Sequence, residues 1–383
     1  MGTLKNLGTN LCGGAGAELV PWLPRYQSPG DHGVTQEPNC TGSDPERLGI
    51  AVKLSMRHIL SAWGVLLFIN AVSGASMPPR YKNCVVALGI HVVDRSSNAV
   101  PGNVRRQFRQ VGTGFLYGDR RGNGWRVYLV TNRHVLEYAK TAFGQQIAAL
   151  QKAGVGQQTD TQFPVFVRFN IENGAVREDL AFFLEEPGAK GRPVFHARLD
   201  LAIIPISSKV LQDAKVKVGM FTSDHHVMNR KKALDEGLSE GDGIFVLGFP
   251  SLEGAESTSR PRNYVIVRSG ILARVSDALN GLSEEYLVDA FVFPGNSGGP
   301  VVNAGTVFRV DGTKAISTSY LIGVVQAYLP YRDLATSQQT HRPRIVFEEN
   351  SGLASVIPID FVQELVADHA RQETDGSPAP PAK

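Results

Sequence analysis

Cysteine is scarce: the 383 residues hold only Cys12, Cys40 and Cys84, with no C-x-x-C pair. Neither a thiolate zinc site nor a disulfide framework follows from that count, so cysteine chemistry is not expected to be the function. Charge of one sign is lacking too. With 39 Lys and Arg against 36 Asp and Glu, the net charge of +3 gives no argument for a nucleic-acid partner. No apolar run reaches the roughly 20 residues that span a bilayer, which disfavours a polytopic membrane protein. Aromatics make up only 8%, whereas Gly and Pro number 40 and 22, a balance that suits short strands and turns better than a helical bundle. Hydrophobic residues at 42% and charged residues at 20% exclude wholesale disorder. The length gives two to three domain-sized units, and no internal repeat is found.

Residues 1–55 are rich in Gly, Pro and polar residues without helical or strand periodicity, and no fold is assigned to them. Met56-Arg57-His58 is a short basic start, Ile59 to Ile69 is mostly apolar, and Val72-Ser73-Gly74-Ala75 supplies small residues at a cleavage site. Together, residues 56–75 read as a secretory signal peptide cut after Ala75, with an uncleaved anchor and a buried core helix as the alternatives. Translation is then expected to start at Met56, leaving residues 1–55 as an extension. The expected location is periplasmic or secreted, or membrane-anchored if the segment is retained. Only Cys84 survives cleavage, so no intrachain disulfide is expected.

From Cys84 onward, β-branched and aromatic runs alternate with Gly, Pro, Asn and Asp clusters. Strands are predicted at Val85 to Val93, Gly114 to Tyr117, Trp125 to Thr131, Phe163 to Phe169 and Leu201 to Ile206. A second set covers Gly243 to Gly248, Tyr264 to Arg268, Ile271 to Val275, Tyr286 to Phe293 and Leu321 to Ala327. Residues 84–206 and 241–365 thus form two β-rich units. Residues 207–240 are a polar connection with one short helix. Only Phe361 to Arg371 shows a convincing helical pattern, with Asp360 as its N-cap. Residues 374–383 read as a disordered tail.

Gly295-Asn296-Ser297-Gly298-Gly299-Pro300 places a serine among glycines after a strand-like run. Serine is a weak nucleophile that needs a base and donors aimed at the developing oxyanion. The glycines allow a tight turn in which the N–H groups of Gly295 and Ser297 point at one oxygen. A Gly-Ser turn alone is equally an ordinary surface loop. The same residues fit the G-x-S-x-G elbow of α/β-hydrolases, but that fold places its acid and histidine after the serine. Here only His341 and His369 lie downstream, in unconvincing settings. Upstream, His134 follows the strand ending at Thr131, a rigid position for a base. Asp200 heads an apolar run, where an acid is costly to bury unless paired. Read alone, His134 suits a satisfied strand-end histidine and Asp200 a turn acid. Their order with the serine is His, Asp, Ser.

These residues carry a resemblance to the chymotrypsin-fold serine proteases, closest to bacterial HtrA-like trypsin-type peptidases. Its matching segments are Gly112-Thr113-Gly114-Phe115, Thr131 to Val135, Asp200-Leu201-Ala202, Gly243 to Pro250, Ser269-Gly270-Ile271, Asp289 to Pro300 and Leu353 to Phe361. The resemblance implies an all-β fold of two six-stranded antiparallel β-barrels with the active site between them, plus a short C-terminal helix. It also implies that Ser297 attacks a peptide carbonyl, that His134 relays the proton, and that Asp200 orients His134. Gly295 and Ser297 supply the oxyanion hole. Neither cofactor nor metal is required, and the partners are polypeptides.

Three features depart from relatives. Asn296 stands where digestive proteases carry an acid that binds a new N-terminal ammonium, so zymogen-type activation is not expected. Phe291, six residues before the serine, offers no countercharge to Arg or Lys and implies a small or medium apolar P1 side chain. Gln326 is placed at the same substrate pocket, where relatives often carry a smaller hydroxyl residue that bears on pocket shape and on the support of Asp200. Too few residues follow Phe361 for the PDZ domain common among HtrA-like proteins. His225-His226 reads as loop rather than metal site, and Asp289 is given no catalytic role. The basic clusters at Arg105-Arg106 with Arg109, and at Arg230 to Lys232, read as solvated surface. The expected function is an exported serine endopeptidase. An inactive protease-fold binding or holdase protein and an esterase are the alternatives.

Overall fold

The computed structural model describes residues 77–93, 106–152, 164–169, 180–183, 192–213, 219–251, 265–306 and 314–375, all within the unit Asn70–Lys383. Residues 1–55, the expected signal segment 56–75 and the tail after Asp375 lie outside the described residues. Among the described residues, no helix is long and apolar enough to cross a membrane.

The fold is mostly β, in two parts. The first is a sheet built from β1 (Val85–Val93), β2 (Arg106–Arg121), β3 (Gly124–Thr131), β4 (Pro164–Phe169), β5 (Leu180–Phe183), β6 (Val194–Phe195), β7 (Ala202–Ile206) and β8 (Phe221–Thr222). Its order is β5-β4-β1-β2-β3-β7-β6, with β8 paired to β2. The second part comprises β9 (Gly243–Gly248), β10 (Ile266–Arg274), β11 (Tyr286–Asp289), β12 (Pro300–Asn303), β13 (Leu321–Thr336) and β14 (Pro343–Pro358). These six strands close into a barrel in the order β10-β11-β14-β13-β12-β9. The all-β two-barrel class read from the sequence is therefore the one observed, with a curled sheet of eight strands as its first half.

Alternation along β3 shows how this architecture follows from the residues. Val127 and Leu129 enter the core of the first sheet, where they meet Leu88, Leu116 and Val167. Tyr128 and Val130 point the other way, into a cluster shared with Leu247, Val302, Leu321 and Val324 of the barrel. One strand thus serves two cores because successive side chains face opposite sides. The two halves are joined by this shared apolar cluster, and each fully buried large side chain in it contributes about 1.5–3 kcal/mol.

The helices are α1 (Arg133–Lys152), α2 (Ser208–Asp213), α3 (Arg230–Glu236), α4 (Ser276–Leu279) and α5 (Ile359–Asp375). The C-terminal helix covers the predicted pattern but begins at Ile359, which puts Asp360 inside its first turn rather than at its N-cap, and Val362, Leu365 and Val366 bury its apolar stripe in the shared cluster. Two short helices, α2 and α3, occupy the connection in which one was expected. The long α1 corrects the expectation that residues 361–371 hold the only helical pattern. Its stripe is Val135, Leu136 and Ala139, all buried, continued by the partly buried Ala142 and Phe143. That spacing is helical.

Candidate active site

His134 sits in the first turn of α1, three residues after β3 ends at Thr131, so strand and helix together fix its backbone. Asp200 stands just before β7, which pairs antiparallel with β3. That pairing sets Ala202 opposite Thr131 and so brings the acid beside the histidine. Asp200 grips His134 at two points. Its Oδ1 accepts the His134 backbone N–H at 2.9 Å, and its Oδ2 lies 2.5 Å from Nδ1. The first bond satisfies an N–H that has no partner within the helix, at the end where the helix dipole favours negative charge. The second fixes Nδ1 as the proton-bearing nitrogen and leaves Nε2 as the basic one. The Asn132 side-chain N–H₂ adds a bond to the Asp200 carbonyl at 2.8 Å.

The Asp200 turn is held from within by His196. Its Nδ1 accepts backbone N–H bonds from Arg198 at 3.3 Å and Leu199 at 3.0 Å, and its own N–H donates to the Leu201 carbonyl at 2.9 Å. The Arg133 guanidinium donates to the His196 carbonyl, which ties this turn to the residue beside His134. The imidazole is 5% exposed and packs edge-on against Phe361.

Ser297 lies on the loop between β11 and β12, and Thr113 of β2 anchors that loop to the first sheet. The Thr113 N–H donates to the Ser297 carbonyl at 3.0 Å, and its hydroxyl donates to the Gly295 carbonyl at 2.6 Å while accepting the Phe249 N–H at 2.9 Å. The Thr131 hydroxyl in turn donates to the Thr113 carbonyl at 2.8 Å. Gly295 and Gly298 have φ of +93° and +83°, which glycine adopts without strain. A side chain on Gly298 would strike the Thr113 carbonyl and Thr131, so the residue after the serine lies directly against the strand end that carries His134.

The Thr113 contacts hold both carbonyls, and the N–H groups of Gly295 and Ser297 make no hydrogen bond among the described residues. The structure therefore joins His134 to Asp200 directly and sets the serine loop beside them through Thr113 and Thr131. No hydrogen bond links the Ser297 hydroxyl to His134 among the described residues. Such contacts often tighten only in the substrate complex.

Phe291 is 58% exposed, so it does not floor the closed pocket expected from the sequence. Gln326 sits at a bulge of β13, between Val325 and Ala327. Its Oε1 lies 3.3 Å from the Ser355 hydroxyl, which also bonds the Glu285 carboxylate. Among the described residues, no group of three His, Cys, Asp or Glu side chains is arranged to hold a metal. Thr113, Asn132 and His196 carry support roles that were not assigned from the sequence. All three are buried polar residues, a class that is seldom buried without a structural purpose.

Thr113→Val keeps the shape but orphans the buried Gly295 carbonyl and Phe249 N–H, at about 1–3 kcal/mol each. The variant is expected to show a lower unfolding midpoint and a fall in kcat greater than any change in KM. An unchanged kcat would show that the loop does not depend on this hydroxyl.

Acid should also weaken the fold. Burial holds the pKa values of His196, His226 and His369 below the ordinary histidine value. The unfolded chain then takes up protons first, so the stability from these groups is complete above about pH 6.5 and is lost as pH falls below it towards the folded pKa values. Thermal unfolding midpoints measured between about pH 7.5 and pH 5 should decline with acidity in wild type and less steeply in His369→Gln. Identical slopes would remove His369 from this explanation.

Fold and site together define a serine endopeptidase of the chymotrypsin type. The chain belongs to the family of the trypsin-like peptidase domain, whose pattern matches residues 112–308, just over half of the sequence and inclusive of His134, Asp200 and Ser297. Among solved structures it is similar to the Rv3671c protease in an inactive form, at 13% identity and a TM-score of 0.32, over 75% of this chain and 89% of the other. It is also similar to a serine-to-alanine mutant of Rv3671c from M. tuberculosis H37Rv, again inactive, at 13% identity and a TM-score of 0.31, over 77% and 94%. No curated protein matches the sequence.

Proposed function

We propose that the protein is an exported endopeptidase that cleaves polypeptides through an acyl-enzyme on Ser297, after small or medium apolar side chains. The observation that carries the acyl-enzyme reading is the two-point hold of Asp200 on His134, which leaves Nε2 as the base. Ser297 Oγ attacks the scissile carbonyl as His134 Nε2 takes its proton, and the carbonyl oxygen becomes an oxyanion received by the N–H groups of Gly295 and Ser297. His134 then returns the proton to the leaving amine as the C–N bond breaks. Water, deprotonated by the same imidazole, attacks the ester and releases the acid, restoring Ser297. Asp200 stays ionised throughout and stabilises the imidazolium.

The apolar P1 preference rests on Phe291, whose position lacks the carboxylate needed to receive Arg or Lys. Export rests on the sequence pattern of residues 56–75. Pre-steady-state hydrolysis of a nitrophenyl ester tests the intermediate: a burst of one nitrophenol per enzyme is expected, and linear release from the first turnover contradicts rapid acylation followed by slow deacylation. Cleavage mainly after Arg in a peptide library would overturn the P1 reading, and a mature protein beginning at Gly2 would overturn export.

A further inference from the structure

β13 and β14 continue far beyond the barrel. They remain paired from Pro330 opposite Asn350 to Thr336 opposite Pro343, closed by a turn in which the Ser337 N–H donates to the Arg342 carbonyl at 3.0 Å. Along this stretch each strand pairs only with the other among the described strands. The arm is thus a two-stranded ribbon, an element of marginal stability when nothing covers it. Each of its faces sets exposed apolar side chains among charged ones, Asp333 and Glu349 on one face and the Arg332–Glu348 pair on the other. Tyr331, Phe347 and Ile345 share one face by register and are 58%, 52% and 56% exposed, while Leu334 and Val346 form a cross-strand pair on the other at 48% and 58%. Monomers seldom leave a large contiguous apolar surface open without an interaction to serve. Residues 330–350 carry three arginines and three acids, so the arm offers no field of one sign to a charged partner.

What the arm is attached to identifies the occupant. Val325, at the base of the same strand, exchanges backbone bonds with the serine loop: the Gly298 N–H donates to the Val325 carbonyl and the Val325 N–H to the Gly299 carbonyl, both at 2.9 Å. β12 pairs with β13 only as far as Val324. Beyond Val325 that edge is open among the described strands. A chain laid antiparallel to β13 from the Ser297 loop therefore runs outward along the arm, its N-terminal side towards the tip. The ten steps from Gln326 to Thr336 reach roughly 33 Å at the strand rise.

Building on the endopeptidase reading above, we propose that the arm formed by residues 330–350 is a docking surface for apolar segments of unfolded polypeptide lying roughly five to ten residues N-terminal to the scissile bond. The enzyme then favours long, unfolded, apolar chains over short peptides with the same cleavage sequence.

The test compares a short chromogenic peptide with a long peptide that carries the same cleavage sequence and an apolar stretch upstream. The enzymes are wild type and Leu334→Ser/Ile345→Ser/Phe347→Ser. The ratio of kcat/KM for the long peptide to that for the short one is expected to fall about tenfold or more in the variant, the loss that follows removal of one good apolar anchor. Because these side chains are exposed, the unfolding midpoint should hold. As a measurement free of mutation, an uncleavable apolar peptide should inhibit wild-type hydrolysis of the long substrate more strongly than that of the short one. An unchanged ratio, or equal inhibition of both substrates, overturns the proposal. A change in sedimentation coefficient with the ratio unchanged assigns the arm to contact between copies and overturns it too. Failure of wild type to cleave even the short peptide or to react with a fluorophosphonate would instead count against the endopeptidase reading itself.

Discussion

Ser297→Ala is expected to abolish fluorophosphonate labelling and to lower casein cleavage by roughly 10⁶-fold, the loss found when the nucleophile is removed from an assembled triad. The expectation is this large because the remaining groups act through the serine. Without Oγ no acyl-enzyme forms, and the imidazole has no alcohol to deprotonate. The fold should be indifferent to the change, since Ser297 is held by its carbonyl, which still accepts the Thr113 N–H in alanine. Unfolding midpoints of the two proteins should agree. A variant that keeps its casein activity would show that another group performs the cleavage, and a correctly folded wild type that fails to label would favour a binding role.

Asp200→Asn is the second large effect, expected near 10⁴-fold in kcat. The amide still offers an oxygen to the His134 backbone N–H, so α1 keeps its first-turn partner. At the other position an N–H₂ now faces Nδ1 and presses the imidazole into the opposite tautomer, with the proton on Nε2 and no base directed at Ser297. The loss should therefore fall on kcat, with KM little changed, and fluorophosphonate labelling should slow in proportion. Asp289→Asn is the control. That carboxylate is exposed and was given no catalytic role, and its replacement should leave kcat within a few-fold of wild type. A small effect at Asp200 would mean that His134 is oriented by other contacts.

Much of this was legible in the residues because strand alternation and loop chemistry are local signals. Val85–Val93 and Gly243–Gly248 are strands with the boundaries read from their apolar runs. Other elements were hidden for physical reasons. Ser269-Gly270 fell between two separately predicted strands, yet one strand, β10, runs through it. A side chain on Gly270 would strike the Asp289 carbonyl and Ala290, so this glycine marks close approach between strands. α1 was obscured because the motif around His134 was read as ending at Val135, although the apolar spacing continues to Phe143. The outer part of the arm is polar enough between its apolar residues to resemble a loop, and its pairing is fixed only by the partner strand. At the site, the residue types of the triad and their order were visible in the sequence. The supports were not, because a threonine such as Thr113 signals its role only through burial and the distant carbonyls it reaches.

The most direct measurement is a crystal structure of the enzyme reacted with an apolar peptide aldehyde, which forms a tetrahedral adduct on an active serine. The aldehyde carbon is expected on Ser297 Oγ, its oxygen within hydrogen-bond reach of the Gly295 and Ser297 N–H groups, and His134 Nε2 within about 3.2 Å of Oγ. An adduct on a different residue, or one on Ser297 with His134 still held by Asp200 but out of reach of the hydroxyl, would contradict the convergence of these three side chains.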